Sequence, residues 1–134
     1  MKYLLDTNTC IRFINGRAPQ IRDKMLTIAD QDIDISTIVQ AEMFAGSAKS
    51  QTPQRSREVQ QEFFRRFTSI PFDEQSALIY GDIRASLEKQ GNLIGGNDML
   101  IAATALAHDL ILVSHNTREF ERVKGLKLED WEKP

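Results

Sequence analysis

The chain has 134 residues, of which 41% are hydrophobic and 27% are charged, and its net charge is -2. A chain of this length buries roughly two thirds of the surface that its unfolded form exposes, which predicts one globular domain over residues 1–134 without structural zinc. The charge argues against the broad basic face of a histone-like binder, the single cysteine excludes an internal disulfide, and no apolar run reaches the ~18 residues of a membrane span.

Short apolar runs alternate along the chain with longer stretches of helical period. This alternation is typical of an α/β sandwich with a parallel sheet. The predicted strands are Tyr3–Asp6, Ile33–Ser36, Leu110–Ser114 and, at an edge, Gly125–Leu128. A fifth candidate, Ser69–Phe72, is predicted to lie at an edge or a strand end because Pro71 has no N–H to donate.

Six helices are predicted between these strands. They cover Asn8–Asn15, Pro19–Asp30, Thr37–Ala48, Pro53–Phe67, Asp73–Gln90 and Asp98–His108. The last of them is apolar on nearly every side, which predicts that it is buried against the sheet. The glycine-rich segment of residues 91–97 is predicted to be the most flexible loop, and it leads directly into Asp98.

Three carboxylates stand where they cost folding free energy. Asp6 ends an apolar strand, Glu42 interrupts an apolar helix, and Asp98 begins the most apolar helix. A buried charge costs several kcal/mol unless a cation or hydrogen bonds compensate it. Each acid also has an ordinary explanation, since Asp6 and Asp98 can cap helices and Glu42 can reach solvent past Gly46. Ligands of open α/β sheets, however, bind beyond the carboxyl ends of the strands, where Asp6 must lie.

A neutral oxygen ligand is available in the same region, because Asn116 follows a predicted central strand. Carboxylate and amide oxygens suit Mg²⁺ or Mn²⁺, whereas zinc prefers nitrogen and sulfur. Cys10, His108 and His115 show no paired spacing that would predict a zinc site. A magnesium-like ion activates water next to a bound phosphate, so the predicted reaction is phosphoester hydrolysis.

Six short segments occur in a recognisable order along nearly the whole chain. They are Leu4–Asn8, Ala41–Glu42, Gly95–Ala103, Asn116–Val123, Gly125–Leu126 and Glu129–Trp131. Each is a weak signal alone, but the tail from Asn116 to Trp131 is specific. Together they resemble the PIN-domain toxins of the VapC type.

The resemblance implies a PIN-like three-layer fold, in which a central parallel sheet of four to five short strands is flanked by helices. It places the family's catalytic acids on Asp6, Glu42 and Asp98, and the fourth site position on Asn116, where many PIN proteins have Asp. Asp6, Asp98 and Glu42 are then expected to bind Mg²⁺ or Mn²⁺, and Glu42 also to hold the attacking water. Asn116 is expected to fix a coordinated water or the phosphate, with one negative charge fewer for a second metal.

The resemblance also implies a function. Family members are toxins of type II toxin-antitoxin systems, metal-dependent endoribonucleases that inhibit translation, and similar members cut initiator tRNA in the anticodon region. The implied partners are RNA, a VapB-like antitoxin that can push an Arg towards the acidic residues, and a second copy of the chain in a homodimer or a larger complex with antitoxin. With a lone cysteine and no signal peptide, the expected location is the cytoplasm.

Two alternatives remain open from the residues. Asp6 at a strand end also resembles the nucleophile of haloacid-dehalogenase-type phosphatases, although their essential second acid would fall on Asn8. A cluster of carboxylates can instead bind a basic segment of a partner protein without any chemistry. An aspartyl-phosphate on Asp6 would favour the first alternative, and a lack of toxicity on expression alone the second.

Basic residues are concentrated in one stretch, residues 49–66. It contains Lys49, Arg55, Arg57, Arg65 and Arg66 against only Glu58 and Glu62. A solvated helix face is the usual explanation, and steering of an RNA backbone is the functional one. Likewise, Arg118 can contact phosphate or pair with Glu119 or Glu121 on its own helix.

Overall fold

The computed structural model describes residues 1–133 and folds them around one five-stranded sheet. The strands are β1 (Tyr3–Leu5), β2 (Ile33–Ser36), β3 (Thr68–Ile70), β4 (Ile111–Val113) and β5 (Lys127–Glu129). The helices are α1 (Thr7–Asn15), α2 (Pro19–Met25), α3 (Thr37–Ala48), α4 (Pro53–Phe64), α5 (Glu74–Lys89), α6 (Gly96–Ala107) and α7 (Thr117–Phe120). A short 3-10 turn, Asp30–Asp32, precedes β2.

All strand pairs of the sheet are parallel, and the order is β3-β2-β1-β4-β5. β1 is therefore central, with Leu4 opposite Asp34 of β2 on one side and Leu112 of β4 on the other. Leu4 and Leu5 are fully buried, as expected for a parallel strand covered by helices on both faces. The predicted fold class, a parallel sheet of four to five short strands flanked by helices, is confirmed.

Helix α6 lies in the core, as its apolar sequence predicts. Ile101, Ala102, Ala103 and Ala105 have no solvent exposure at all. The helix packs against α5, α3 and β4. Since α6 leads into β4, it runs antiparallel to the strands, and its first turn lies near their carboxyl ends.

Side-chain caps determine where several helices begin. Ser36 accepts the backbone N–H of Val39 at 3.1 Å at the start of α3, and Asp73 accepts that of Ser76 at 2.9 Å at the start of α5. At its far end α1 stops at Gly16, whose φ of 68° is the left-handed conformation that favours glycine.

Two helices end several residues earlier than the sequence predicts. α2 ends at Met25 instead of Asp30, because Thr27 turns back and donates its N–H and its hydroxyl to the carbonyl of Lys24 at 3.0 and 2.6 Å. α4 ends at Phe64 instead of Phe67, because the N–H of Phe67 bonds to the carbonyl of Phe64 in a tight turn. That turn directs the chain into β3 and keeps Phe67 buried.

Three further differences concern the short elements. β3 ends before Pro71 and lies at the edge of the sheet, as its proline predicts, but it begins at Thr68 and not Ser69. β5 begins at Lys127 because Gly125, with a φ of 83°, still belongs to the preceding turn. Helix α7 was expected around Arg118 without bounds, since four residues are too few to show a helical period.

The carboxyl ends of β1, β2 and β4 lie side by side, because these strands are parallel and adjacent. Asp6 directly follows β1, Ser36 ends β2, and Ser114 directly follows β4. The helices α1, α3 and α7 therefore begin at one edge of the sheet, which α6 also reaches with its first turn. Over the described residues, no helix combines the length and apolarity needed to cross a membrane.

Candidate active site

Asp6 lies at the centre of this edge and is almost fully buried, with 4% of its surface exposed. It caps α1, and its Oδ1 accepts the backbone N–H of Thr9 at 2.8 Å. Burial raises the pKa of Asp6, and hydrogen bonds from Ser114 and Thr9 act in the opposite direction. The cap explains how the carboxylate is held, but it does not compensate the cost of burying its charge.

Glu42 reaches the same edge from α3. Its Oε1 accepts the hydroxyl hydrogen of Thr7, the first residue of α1, at 2.6 Å. The Glu42 side chain is half-buried, so it does not simply extend into solvent past Gly46. The hydrogen bond holds the Glu42 carboxylate beside Thr7, which directly follows Asp6 in the sequence.

Asp98 lies in the first turn of α6, and the other acids raise its pKa. Burial raises its pKa to about 6, and the negative charges of Asp6, Glu119 and Glu42 add to this shift, in that order. Like charges change a pKa only where the groups are near one another. The segments that carry these four carboxylates meet at the same edge of the sheet, and we call this region the acidic site: Asp6, Glu42, Asp98 and Glu119.

Asn116 borders the acidic site and is tied to it through Glu119. Its backbone N–H donates to the Ser114 hydroxyl at 2.9 Å, and its side-chain Nδ2 donates to Oε2 of Glu119 at 3.0 Å. The side-chain carbonyl oxygen of Asn116 remains to accept a hydrogen bond or contact a cation.

Glu119 is a site residue that the sequence analysis missed. The sequence suggests Glu119 only as an ion-pair partner of Arg118, because it does not show where the short helix α7 begins. Once α7 begins after Asn116, the spacing of three residues brings Glu119 back beside Asn116. That spacing is the signal that could have found it.

Glu132 is a further acid near this site that the sequence does not mark. Its side chain is only 8% exposed, and its Oε1 accepts the Nε hydrogen of Arg12 at 2.6 Å. Its other oxygen, Oε2, is buried and has no hydrogen-bond partner among the described residues. The charge of Glu132 raises the pKa of Asp6, so this carboxylate lies close to the acidic site.

The acidic site offers only oxygen ligands, which fits a hard divalent cation. Within the described part of the chain, none of its four acids forms an ion pair with a basic side chain. Among residues 1–133, however, no three His, Cys, Asp or Glu side chains are arranged as a ready-made metal-binding group. Mg²⁺ keeps several waters and takes only one or two carboxylates plus substrate phosphates, so widely spaced acids suit it.

The histidines and the cysteine do not form an alternative centre. His108 lies at the opposite end of α6 from Asp98 and contacts Asp73 at 2.9 Å. His115 contacts Asp130 at 3.0 Å. Cys10 is fully buried, and burial raises the pKa of its thiol, which disfavours a nucleophilic thiolate.

Comparison with known proteins shows the family to which the chain belongs. A family model of the PIN domain matches residues 3–126. Over 131 residues the chain is 43% identical to ribonuclease VapC2 of Haemophilus influenzae and 37% identical to the tRNA(fMet)-specific endonuclease VapC of Salmonella typhimurium, in each case covering 98% of both chains. A crystal structure of VapBC2 from Rickettsia felis, bound to a DNA fragment from its promoter, matches with a TM-score of 0.92 and 36% identity over 98% of this chain and 99% of that chain. The chain therefore belongs to the PIN-domain family, among relatives of the VapC type.

Proposed function

We propose that this protein is a divalent-metal-dependent endoribonuclease and the toxin of a type II toxin-antitoxin pair. The observation that carries the proposal is the acidic site, where burial and mutual repulsion raise the pKa of Asp98 in a chain of the PIN family. PIN-domain nucleases generally depend on a divalent metal. The ligands here are all oxygens, which favours Mg²⁺ or Mn²⁺ over zinc.

Each residue of the acidic site has a proposed role in hydrolysis. Asp6 and Asp98 would hold the metal ion, which when bound lowers the pKa of a water and stabilises the leaving oxygen. Glu42 would help to bind it and would receive the proton of the attacking water on Oε2, because Oε1 is engaged by Thr7. The water oxygen would bond to phosphorus, one P–O ester bond would break, and the leaving oxygen would take a proton from solvent. This leaves a phosphate on one fragment and a hydroxyl on the other.

Asn116 and Glu119 act together in this proposal. The Asn116 carbonyl oxygen would accept a hydrogen bond from a coordinated water. Its Nδ2 donates one hydrogen to Glu119, so the second N–H would be the group that fixes a phosphate oxygen. Glu119 supplies the negative charge that an Asn at position 116 lacks. The charge required for a second metal would therefore come from α7, one helical turn beyond the position that the family resemblance suggested.

The proposed substrate is RNA, with tRNA as the first candidate. The Salmonella typhimurium relative is named a tRNA(fMet)-specific endonuclease, which supports initiator tRNA as the target.

The basic stretch, which spans α4, could steer the RNA backbone, but its residues are not equally available. Arg66 contacts Asp30 at 3.2 Å and lies over the Phe67 ring at 4.9 Å, whereas Arg55 forms no ion pair among the described residues.

The proposed partners are a VapB-like antitoxin and a second copy of the chain. The support is that the similar solved structures from Rickettsia felis and Salmonella typhimurium are VapBC complexes. A guanidinium inserted between the carboxylates of the acidic site would inhibit the enzyme, because Arg pairs bidentately with carboxylates.

PIN-family membership removes the basis of the phosphatase alternative, which rested on a strand-end motif alone.

The proposal is tested by incubating the purified protein with total RNA, with Mg²⁺ or with EDTA, and mapping the new ends. We expect discrete cuts, tRNA among the targets, and complete loss of cleavage in EDTA. Asp98→Asn should abolish cleavage, while Asp82→Asn on the exposed face of α5 should leave it unchanged.

Two results would count against the proposal. One is metal-independent cleavage by the wild type, and the other is full activity of Asp98→Asn with an unchanged Mg²⁺ requirement. Expression of the toxin without antitoxin separates an enzyme from a binding module, since only an enzyme should arrest growth, and only while Asp98 is intact.

A further inference from the structure

We propose that a cleft beside the acidic site binds a backbone phosphate of the RNA, at a nucleotide next to the one that is cut. This inference rests on the proposed ribonuclease function. The cleft lies between α1 and the loop that joins β4 to α7, and we call it the α1 cleft. It is lined by Asn8, Ile11, Arg12, Asn15, Arg17, His115, Asn116 and Glu132. Asn116 borders both the cleft and the acidic site, so the two are continuous.

Arg12 is presented to the α1 cleft by a buried acid. Its Nε donates to Glu132 at 2.6 Å, and the Glu132 side chain is 8% exposed whereas that of Arg12 is 41% exposed. A guanidinium has five N–H donors in a planar fork, and this contact uses only the one on Nε. The terminal nitrogens therefore remain for a ligand, and the buried carboxylate fixes the plane in which they lie.

His115 repeats the same arrangement on the other side of the cleft. Its Nδ1 lies 3.0 Å from Asp130, whose side chain is 4% exposed, while the imidazole itself is 63% exposed. Nε2 is thus the ring nitrogen left for a ligand. At both positions the acid is inside the protein and the nitrogen-bearing group faces solvent.

Arg17 adds a cation without an acidic partner. The left-handed Gly16 turns the chain so that the N–H of Arg17 bonds to the carbonyl of Arg12 at 3.1 Å. The Arg17 side chain is exposed and forms no ion pair within residues 1–133. The turn that ends α1 therefore brings the backbones of Arg12 and Arg17 together, and both residues line the cleft.

An RNA strand needs such cations at this place. The carboxylates of the acidic site repel the phosphates on either side of the scissile one, because only the scissile phosphate can share the metal ion. Apart from Ile11, the solvent-exposed side chains of the α1 cleft are arginines, a histidine and asparagine amides, all of which can donate hydrogen bonds to phosphate oxygens. The α1 cleft thus compensates the repulsion next to the point where it arises.

The test is binding of a fluorescent single-stranded RNA oligonucleotide in EDTA, where the metal-dependent cut cannot occur. Arg17→Gln should weaken binding about tenfold, the effect of one charge-assisted hydrogen bond, and should lower the slope of log Kd against log salt by about one. Arg84→Gln is the matched control, since it removes the same charge from the exposed part of α5 and should change neither quantity. With Mg²⁺ present, Arg17→Gln should raise KM about tenfold and leave kcat nearly unchanged.

Arg12 must be tested in a double variant, because replacing Arg12 alone leaves the buried Glu132 carboxylate without its ion-pair partner. Arg12→Gln combined with Glu132→Gln avoids this charge, and its melting temperature shows whether it folds. We expect the pair to lose about tenfold in RNA affinity, as for Arg17→Gln.

Three outcomes would overturn the inference. The first is wild-type affinity in both Arg17→Gln and the folded paired variant. The second is a loss of antitoxin binding in these variants without a loss of RNA affinity, which would assign the cleft to an acidic protein segment. The third is displacement of the RNA by inorganic phosphate at micromolar concentration, which would identify a site for the free ion. If the wild type binds RNA but does not cleave it, the proposed function is contradicted. The α1 cleft is then still tested by the RNA affinities of the wild type and the variants in EDTA.

Discussion

The Thr7 hydroxyl donates to Oε1 of Glu42 at 2.6 Å, and this bond joins two residues that are 35 positions apart. Thr7 begins α1 and Glu42 lies in the middle of α3, so the bond ties the two helices together where they meet the acidic site. Oε1 of Glu42 is engaged in this bond, and Oε2 remains available to accept a proton. The rotamer of the proposed proton acceptor therefore depends on a residue that needs no contact with the substrate.

Thr7→Val should lower kcat for RNA cleavage by about 10-fold to 100-fold, as is typical for the loss of a group that orients a catalytic carboxylate. Valine keeps the shape and the branched Cβ of threonine but cannot donate, so KM should change little. Thr7→Ser keeps the hydroxyl and is the control. Single-turnover cleavage at saturating RNA measures the effect, and equal rates for the Val and Ser variants would show that the hydrogen bond has no role.

Glu119→Gln should reduce cleavage at least tenfold, because it removes one of the carboxylates that act on Asp98. The matched control is Glu121→Gln, two residues further on and exposed, which should retain full activity. The pH profile adds a second readout, since the loss of a neighbouring negative charge lowers the pKa of Asp98. An unchanged rate and an unchanged acidic limb of the profile in Glu119→Gln would exclude this residue from the site.

The core of the fold could be predicted because it depends on local patterns. The apolar runs around Leu4 and Leu112 predict the central strands, and the nearly continuous apolar sequence of α6 predicts its burial. The ends of α2 and α4 could not be predicted in the same way. They are set by turns at Thr27 and Phe67, whose backbone hydrogen bonds depend on how the chain must enter the next strand.

The acidic site was only partly predictable for a related physical reason. Asp6, Glu42 and Asp98 each interrupt an apolar element, and that conflict with burial is visible in the sequence. Glu119 and Glu132 do not interrupt a long apolar element, so no such conflict with burial marks them in the sequence. Only the folding of α7 and of the C-terminal segment brings their carboxylates towards Asp98 and Asp6 respectively.

Asp98 should make the stability of the metal-free protein depend on pH. Its pKa is raised to about 6 in the folded state, so the folded protein binds this proton more tightly than the unfolded chain does. The contribution of Asp98 to the free energy of unfolding is thus most favourable below about pH 4, where both states are protonated. It is lost as the pH rises to about 6, and the charged carboxylate opposes folding above that.

The variant that tests this is Asp98→Asn, measured in EDTA. Relative to the wild type it should gain stability on the order of 1 kcal/mol between pH 4 and pH 7.5, since a half-buried group is partly screened by solvent. Denaturant unfolding at the two pH values gives the difference. Asp82→Asn, which alters an exposed carboxylate, should show no such gain, and a gain of equal size there would mean that the effect is not specific to the site.

Mg²⁺ should reverse this destabilisation, because a cation bound to the folded state alone stabilises it by mass action. At pH 7.5 and a metal concentration about 100 times its Kd, the wild type should gain about 2.7 kcal/mol. Asp6→Asn combined with Asp98→Asn should lose the gain, while Glu121→Gln should keep it. The gain should also shrink below about pH 6, where protonation of Asp98 competes with the metal. Melting temperatures with and without Mg²⁺ measure all of these, and an equal Mg²⁺ effect in the double variant would place the metal outside the acidic site.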